Sequence, residues 1–273
     1  MKNKLTGVAV ALALVLAATG CGLGGGAQAS ILDKETLTIG VKPDQPGLGL
    51  RNANGGYEGF DIDVAAYVAR KLGFTDFRFV PAPSAQRENL LRQHRVDLIF
   101  ATYSITPERK TKVDFAGPYY VAHQDTLVRA AETGIDNVRD LRGRSLCQVT
   151  GSNSWRRVSE ERKVAVRLVE TASYSECLDK LKDGSVDAVS TDDLILAGFA
   201  GTEDRSIKIV NAPFSDERYG VGIAKGDVDG CEAVNKAITE MYQDGTAKKL
   251  LEKWFGPTGL NLTLTVPQFE GCG

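Results

Sequence analysis

The chain has 273 residues, 33 basic against 35 acidic side chains, a formal charge of −2 and 42% hydrophobic residues. Acids and bases are mixed along it, which leaves no basic stripe of the kind a nucleic-acid-binding face needs. Beyond the first thirty residues the remaining length suits one large or two medium domains.

In chain order, Lys2 and Lys4 precede a run of small and branched residues from Leu5 to Thr19. The run is shorter than the roughly 20 apolar residues that span a bilayer, so residues 1–20 read as an export signal. It ends Ala18-Thr19-Gly20-Cys21, which resembles the lipobox of bacterial lipoproteins. That resemblance implies that Cys21 is diacylated and becomes the mature N-terminus. The family usually carries Leu at the place of Ala18. Residues 21–33, glycine-rich at their start, read as a flexible tether. The G-L-G-G-G-A within it imitates a dinucleotide fingerprint, but it follows an export signal instead of a strand.

Next come a strand over Thr36–Val41, a helix over Asp61–Leu72, a strand over Phe77–Val80 and a helix over Gln86–Gln93. Val96–Ala101 is almost wholly apolar, as a strand covered on both faces is. Strands are expected at Thr126–Arg129, Arg144–Val149, Val166–Val169, Asp187–Ser190, Ile207–Val210 and Tyr219–Ala224. Helices fall near Trp155–Arg162, Tyr174–Lys182 and Leu194–Phe199. An amphipathic segment from Cys231 to Trp254 breaks at Asp244-Gly245. The alternation predicts an α/β fold with mainly parallel sheets.

After Cys21 four cysteines remain, Cys147, Cys177, Cys231 and Cys272. An even count in an exported chain argues for two disulfides, and neighbourhood pairs 147 with 177 and 231 with 272, although sequence allows three connectivities. His94 and His123 have no spaced partners, so neither a metal site nor a cofactor is expected.

Four segments carry a family resemblance. They are Gly59-Phe60-Asp61-Ile62-Asp63-Val64; Asp97-Leu98-Ile99 leading into Ser104-Ile105-Thr106-Pro107-Glu108-Arg109; Asp114-Phe115 with Pro118-Tyr119-Tyr120; and Gly184-Ser185-Val186-Asp187-Ala188. Together they resemble the polar amino-acid-binding family of extracellular solute-binding proteins, over about residues 36–255. The stretch Lys42–Gly49 looks most like the actinobacterial glutamate-binding branch. The resemblance implies a type II periplasmic-binding-protein fold of two lobes joined by two crossover strands. Lobe one would be 34–126 with 219–260, lobe two 127–218, and 261–273 a tail packed on the surface. It also implies a monomer, lipid-anchored on the outer face of the cell membrane, that carries an amino acid to the membrane subunits of an ABC importer.

Arg109 lies in a first helical turn capped by Thr106 and opened by Pro107, where the helix dipole disfavours a cation without an anion nearby. By spacing it is either a surface charge or a carboxylate ligand; the resemblance makes it the ligand, with Ser104 and Thr102 as further donors. The loop around Gly151, Ser152 and Asn153 is either a plain helix start or, by the resemblance, the second half of a carboxylate clamp. Asp192 could merely cap a helix, as could Asp193; the resemblance makes it the partner of a ligand's α-ammonium. Phe60 is expected as an apolar wall and Gln45 as the residue where relatives that bind basic amino acids carry an aromatic. Lys42 and Arg51 could neutralise a side-chain carboxylate, favouring glutamate or aspartate, while Gln45 keeps glutamine and asparagine open. An enzyme on the same fold would need a positioned acid, base or nucleophile, and no such arrangement is seen. A sensor lobe for a membrane signalling protein remains the other alternative.

Overall fold

The structure is a computed structural model that describes residues 30–202 and 205–273; the export signal, Cys21 and most of the expected tether lie outside the described residues. Residues 30–33 depart from the tether expectation. They form a 3-10 turn, capped by Ser30, and the Ser30 hydroxyl and Ile31 amide both donate to Asp227.

The chain opens with β1 (Leu37–Val41) and a small antiparallel ribbon, β2 (Asp44–Gln45), β3 (Gly49–Arg51) and β4 (Tyr57–Glu58). Then α1 (Phe60–Lys71) buries Phe60, Val64, Ala65, Val68 and Ala69 along one face and leaves Arg70 and Lys71 in its last turn, where the dipole favours cations. β5 (Phe77–Pro81), α2 (Arg87–Arg92), β6 (Leu98–Phe100) and α3 (Pro107–Lys110) follow. The long β7 (Asp114–Arg129) leads to β8 (Ser145–Val149), the single turn α4 (Ser154–Arg156), β9 (Arg167–Thr171) and α5 (Tyr174–Lys182). β10 (Ala188–Asp192), α6 (Asp193–Thr202), β11 (Ile207–Ile209) and β12 (Ser215–Ile223) complete the strands. Finally α7 (Val228–Gln243) and α8 (Thr246–Phe255) meet at Gly245, whose φ of 77° breaks the helix where the sequence places it.

The main sheet runs β5-β1-β6-β12-β7-β10-β8-β9, with β11 also on β7. Pairing is parallel at each end, β1 with β5 and β6, β8 with β9 and β10. It is antiparallel wherever β7 or β12 takes part. Those two strands join the halves, so the fold is the two-lobed type II arrangement.

Sequence reading finds only the end of β7, at Thr126–Arg129, whereas the strand begins at Asp114. Pro118 inside the run argues against a strand by the usual rule, but here it follows Gly117 in a segment whose carbonyl and amide find other partners. The expected helix near Trp155–Arg162 is one α turn that widens into a π turn over Arg157–Glu161.

Both disulfides pair as neighbourhood predicts, Cys147–Cys177 with a Cα separation of 5.7 Å and Cys231–Cys272 with 5.9 Å. The last residues run over the crossover strands. Glu270 pairs with Lys110 and Arg218, and its amide donates to the Gly117 carbonyl.

Candidate functional site

The first lobe builds its side of the site where β6 ends. Asp61, fully buried on α1, accepts from the Thr102 amide at 2.9 Å and from the Tyr119 hydroxyl at 2.8 Å. Burial pushes its pKa up to about 7 against these hydrogen bonds. The bonds hold Thr102 in the left-handed region, φ 44°, a conformation a β-branched residue adopts only when its surroundings enforce it. The Thr102 hydroxyl in turn donates to Gln45 Oε1 at 3.1 Å.

Two arginines stand beside this turn. Arg87 opens α2 and is 2% exposed; its guanidinium donates to the carbonyls of Ser84, Ala101 and Gly151 at 3.3, 3.1 and 3.2 Å. Arg109, on α3 behind its Thr106 cap, donates to the Ser104 carbonyl at 2.7 Å and to the same Gly151 carbonyl at 3.0 Å. Both guanidiniums face the ring of Tyr103, at 4.2 and 5.0 Å from its centroid. Burial and the neighbouring Arg87 charge push Arg109 down to about 10, so it remains a cation at neutral pH.

The second lobe answers with the loop between β8 and α4. Gly151 has φ 79°, and a Cβ there would lie 2.5 Å from the Ala85 amide nitrogen, so only glycine lets this loop meet the other lobe. Asn153 donates to Glu217 at 3.1 Å, and Glu217, buried on β12, also takes Arg157 at 2.6 Å. Asp192 ends β10 and is 3% exposed; its Oδ1 is buried and makes no hydrogen bond. The Tyr219 hydroxyl is close enough to ease this charge yet stands outside hydrogen-bond geometry. Burial, and then the charge of Glu217, hold the Asp192 carboxyl well above the ordinary carboxylate value.

These parts enclose one cavity. Ser84, Arg87, Thr102 and Ser104 line it from the first lobe, and Ser152, Asn153, Ser154, Tyr174, Asp192 and Ile195 from the second. It holds about 10 Å³, room for a single water, so an amino acid enters only when the lobes part. Outside it, between α3 and α4, lies a groove of about 430 Å³ lined by Arg109, Gly151 and Trp155 among others. At the rim of this groove Glu108 and Arg156 form a 2.6 Å ion pair from one lobe to the other.

Of the residues singled out from sequence, Thr102, Ser104, Ser152, Asn153 and Asp192 meet at the cavity. Arg109 and Gly151 flank it on the groove side. Lys42 and Gln45 sit one layer back. The Lys42 ammonium, 1% exposed, donates to Ser84 Oγ at 3.2 Å and lies 3.5 Å from Asp44, with burial lowering its pKa more than Asp44 raises it. Gln45 Nε2 is buried without a hydrogen-bond partner.

Phe60 corrects the expectation of an apolar wall. Its ring packs among Tyr119, Tyr120 and Phe255, because the helix turn it opens points inward to the core. Arg51 is exposed on β3, out on the ribbon. Sequence reasoning missed Ser84, Arg87, Tyr174 and Ile195. The signal for Arg87 was present, since it too is a cation in the first turn of a helix. No group of three or more His, Cys, Asp or Glu side chains that could hold a metal gathers among the described residues.

Residues 37–257 match the bacterial extracellular solute-binding proteins, family 3. The chain is 39% identical over 244 residues to the glutamate-binding protein GluB of Corynebacterium efficiens, covering 85% of this chain and 83% of that protein. It is 34% identical over 230 residues to the ABC transporter glutamine-binding protein GlnH of Bacillus subtilis, covering 83% of each. Among solved structures, an ancestral arginine-binding protein bound to arginine superposes with a TM-score of 0.75 at 36% identity, covering 82% of this chain and 99% of that one. An ancestral amino acid-binding protein described as a precursor of cyclohexadienyl dehydratase superposes equally well at 32% identity, covering 83% of this chain and 100% of that one. With its two lobes, its interlobe site and these relatives in agreement, the chain belongs to family 3 of the bacterial extracellular solute-binding proteins.

Proposed function

We propose that this protein is the lipid-anchored, extracytoplasmic binding component of an ABC amino-acid importer and that glutamate is its preferred ligand. The observation that carries this reading is Asp192 Oδ1, a buried carboxylate oxygen with no hydrogen bond, facing a cavity whose other wall bears a guanidinium and hydroxyls. A buried charge without a partner is costly, and an α-ammonium is the partner that fits. Opposite it, Arg87 and Arg109 share the Gly151 carbonyl, an acceptor that a ligand carboxylate outcompetes because it meets the guanidiniums with a full negative charge and two oxygens where the carbonyl offers one dipole.

Glutamate is favoured by the donors behind the first-lobe wall, with the Lys42 ammonium buried behind Ser84 and the Gln45 amide carrying a donor without an acceptor. The name of the Corynebacterium relative supports the same choice. On this reading lobe one comprises 34–126 and 219–260, lobe two 127–218, residues 261–273 the surface tail, and Cys21 the lipidated residue.

A thermal-shift screen of the twenty amino acids tests the ligand. At 100 times its dissociation constant a ligand stabilises the protein by about 2.7 kcal/mol, and glutamate should give the largest shift. Arginine or histidine at the top would overturn the glutamate preference, and no shift with any amino acid would overturn the binding role. For the anchor, Cys21→Ser should send the protein into the medium; unchanged detergent-phase partitioning would count against lipidation.

A further inference from the structure

Two buried polar atoms without a hydrogen bond stand beside each other at the back of the cavity, one an acceptor and the other a donor. The acceptor is Asp192 Oδ1, on the last residue of β10, and the donor is the hydroxyl of Tyr219 on β12, a fully buried residue. That hydroxyl lies close enough to favour the ionised acid, yet outside hydrogen-bond geometry. Leaving either atom unpaired is costly.

The two atoms belong to different lobes. The Ile105 amide donates to the Arg218 carbonyl at 2.8 Å and the Gly220 amide to the Tyr103 carbonyl at 3.0 Å. Tyr219 is thereby laced to the first-lobe segment around Ser104, a cavity-wall residue with which it forms a bridge. Its ring packs against Tyr119 and Tyr120, with centroids 5.9 and 6.2 Å away. Burial and the charges of Asp192, Asp193 and Asp61 hold its hydroxyl well above the ordinary pKa, so it is a donor at neutral pH.

Besides Tyr219, Asp192 faces Glu217 on β12, Asp193 on α6, Arg109 on α3 and Tyr174 on α5. Glu217 and Asp193 oppose its ionisation, and Arg109 favours it. The Tyr174 hydroxyl is taken up by Ser152, Ser154 and Thr191. Among the described residues this leaves Tyr219 as the neighbouring donor with no bond of its own. A carboxylate oxygen has two lone pairs, so Oδ1 can take an ammonium from the cavity and a hydroxyl from behind together. Its hold on the hydroxyl strengthens once it carries a full charge.

We propose that Tyr219 is a positioning residue of the ligand site, whose hydroxyl closes on Asp192 Oδ1 from behind when a ligand ammonium reaches that oxygen from the cavity. Because the donor is laced to one lobe and the acid to the other, the bond also holds the lobes together around an occupied site. This inference rests on the amino-acid-binding reading above.

Isothermal titration with glutamate of wild type and Tyr219→Phe, at pH 6 and at pH 8.5, tests it. Phenylalanine keeps the ring between Tyr119 and Tyr120 and removes only a hydroxyl without a hydrogen bond. The free variant should therefore melt no lower than wild type. At pH 6 the acid ionises as the ligand binds and the Tyr219 bond forms in that step. Its loss should weaken binding about tenfold, the scale of one hydrogen bond to a charged group. As pH rises the acid is increasingly ionised and bonded beforehand, so the ratio of the two affinities should shrink to about twofold at pH 8.5. Glu217, Asp193 and Arg109 act on both proteins alike and cancel in that ratio. An equal ratio at both pH values is what a merely structural role gives, and it overturns the proposal. A variant that melts well below wild type overturns it too, since the hydroxyl would then already have a partner. Wild-type affinity at both pH values also overturns it, while leaving the binding reading intact. Wild type that binds no amino acid overturns both.

Discussion

The two walls of the cavity are built on opposite terms. On the first lobe every hydrogen-bonding direction of Arg87 that matters is already met, by the carbonyls of Ser84, Ala101 and Gly151. On the second lobe Asp192 is buried as deeply, yet Oδ1 makes no hydrogen bond, the nearby Tyr219 hydroxyl lying outside the geometry for one. One wall is a cation with its partners in place and the other a carboxyl that burial keeps from ionising until a cation arrives. The difference matters because desolvation penalises both charges, whereas only the satisfied one recovers part of that cost. A zwitterion entering the cleft therefore replaces weak neutral acceptors on one side and supplies a missing partner on the other.

The strongest way to break this comparison is Asp192→Ala. Removing the cavity-lining carboxyl that meets the ammonium should weaken glutamate binding by about 100- to 1,000-fold, since stranding a buried charge costs about 3–5 kcal/mol. The free protein should melt higher than wild type, because an unpaired buried carboxylate has gone. Equal affinity, or a lower melting temperature, would mean that the acid is satisfied in a way the geometry does not show.

Arg87→Ala and Arg109→Ala should each weaken glutamate about 30-fold by titration calorimetry, since each removes charge-assisted donors. In contrast to Asp192→Ala, Arg87→Ala should lower the melting temperature, because three carbonyls and the face of Tyr103 lose their partner. If both arginine variants bind like wild type, the carboxylate end lies elsewhere.

A pH experiment sharpens the anion side. The Asp192 carboxyl is raised in the free protein, and a bound ammonium favours its ionised form. Between the ordinary carboxylate value and that raised value the free protein holds a proton that the ligand displaces. Affinity should then rise with pH by up to about tenfold per unit. Titrations at pH 6 in two buffers of different ionisation enthalpy should show net proton release, and none would contradict a raised Asp192.

The smallest effect concerns selectivity. Lys42 acts from one layer back through Ser84, so Lys42→Ala should reduce the preference for glutamate over glutamine by only about three- to tenfold. An unchanged ratio in competition titrations would assign the choice to Arg87 and Gln45 instead.

The alternation of strands and helices, the helix break at Gly245 and both disulfides were legible because each leaves a local mark: periodicity, a turn residue, an even cysteine count. Asp192 and Ser152 were singled out only through the family resemblance, since by spacing alone each could simply cap a helix; both line the cavity. Arg87 carried the same first-turn signal as Arg109 but no motif to single it out, and its burial comes from the end of β6 and from Gly151, 64 residues away. Tyr174 was hidden as well, since its three hydroxyl partners come from the loop before α4, from the start of α4 and from β10. The ribbon β2–β4 left no trace because strands of two or three residues carry no period to read.

The crossover strands have a consequence of their own. A hinge is commonly imagined as loose chain, yet β7 and β12 remain ladder-paired from Ser215 opposite Gln124 to Ile223 opposite Asp114. Separation of the lobes must therefore twist a zipped ribbon instead of swinging on free loops, and the one irregularity available is the register shift between Tyr219 and Val221. The seam between the halves should thus hold some of the most slowly exchanging amide hydrogens in the protein, Gly220 included, because at the shift its buried amide turns to the Tyr103 carbonyl at 3.0 Å.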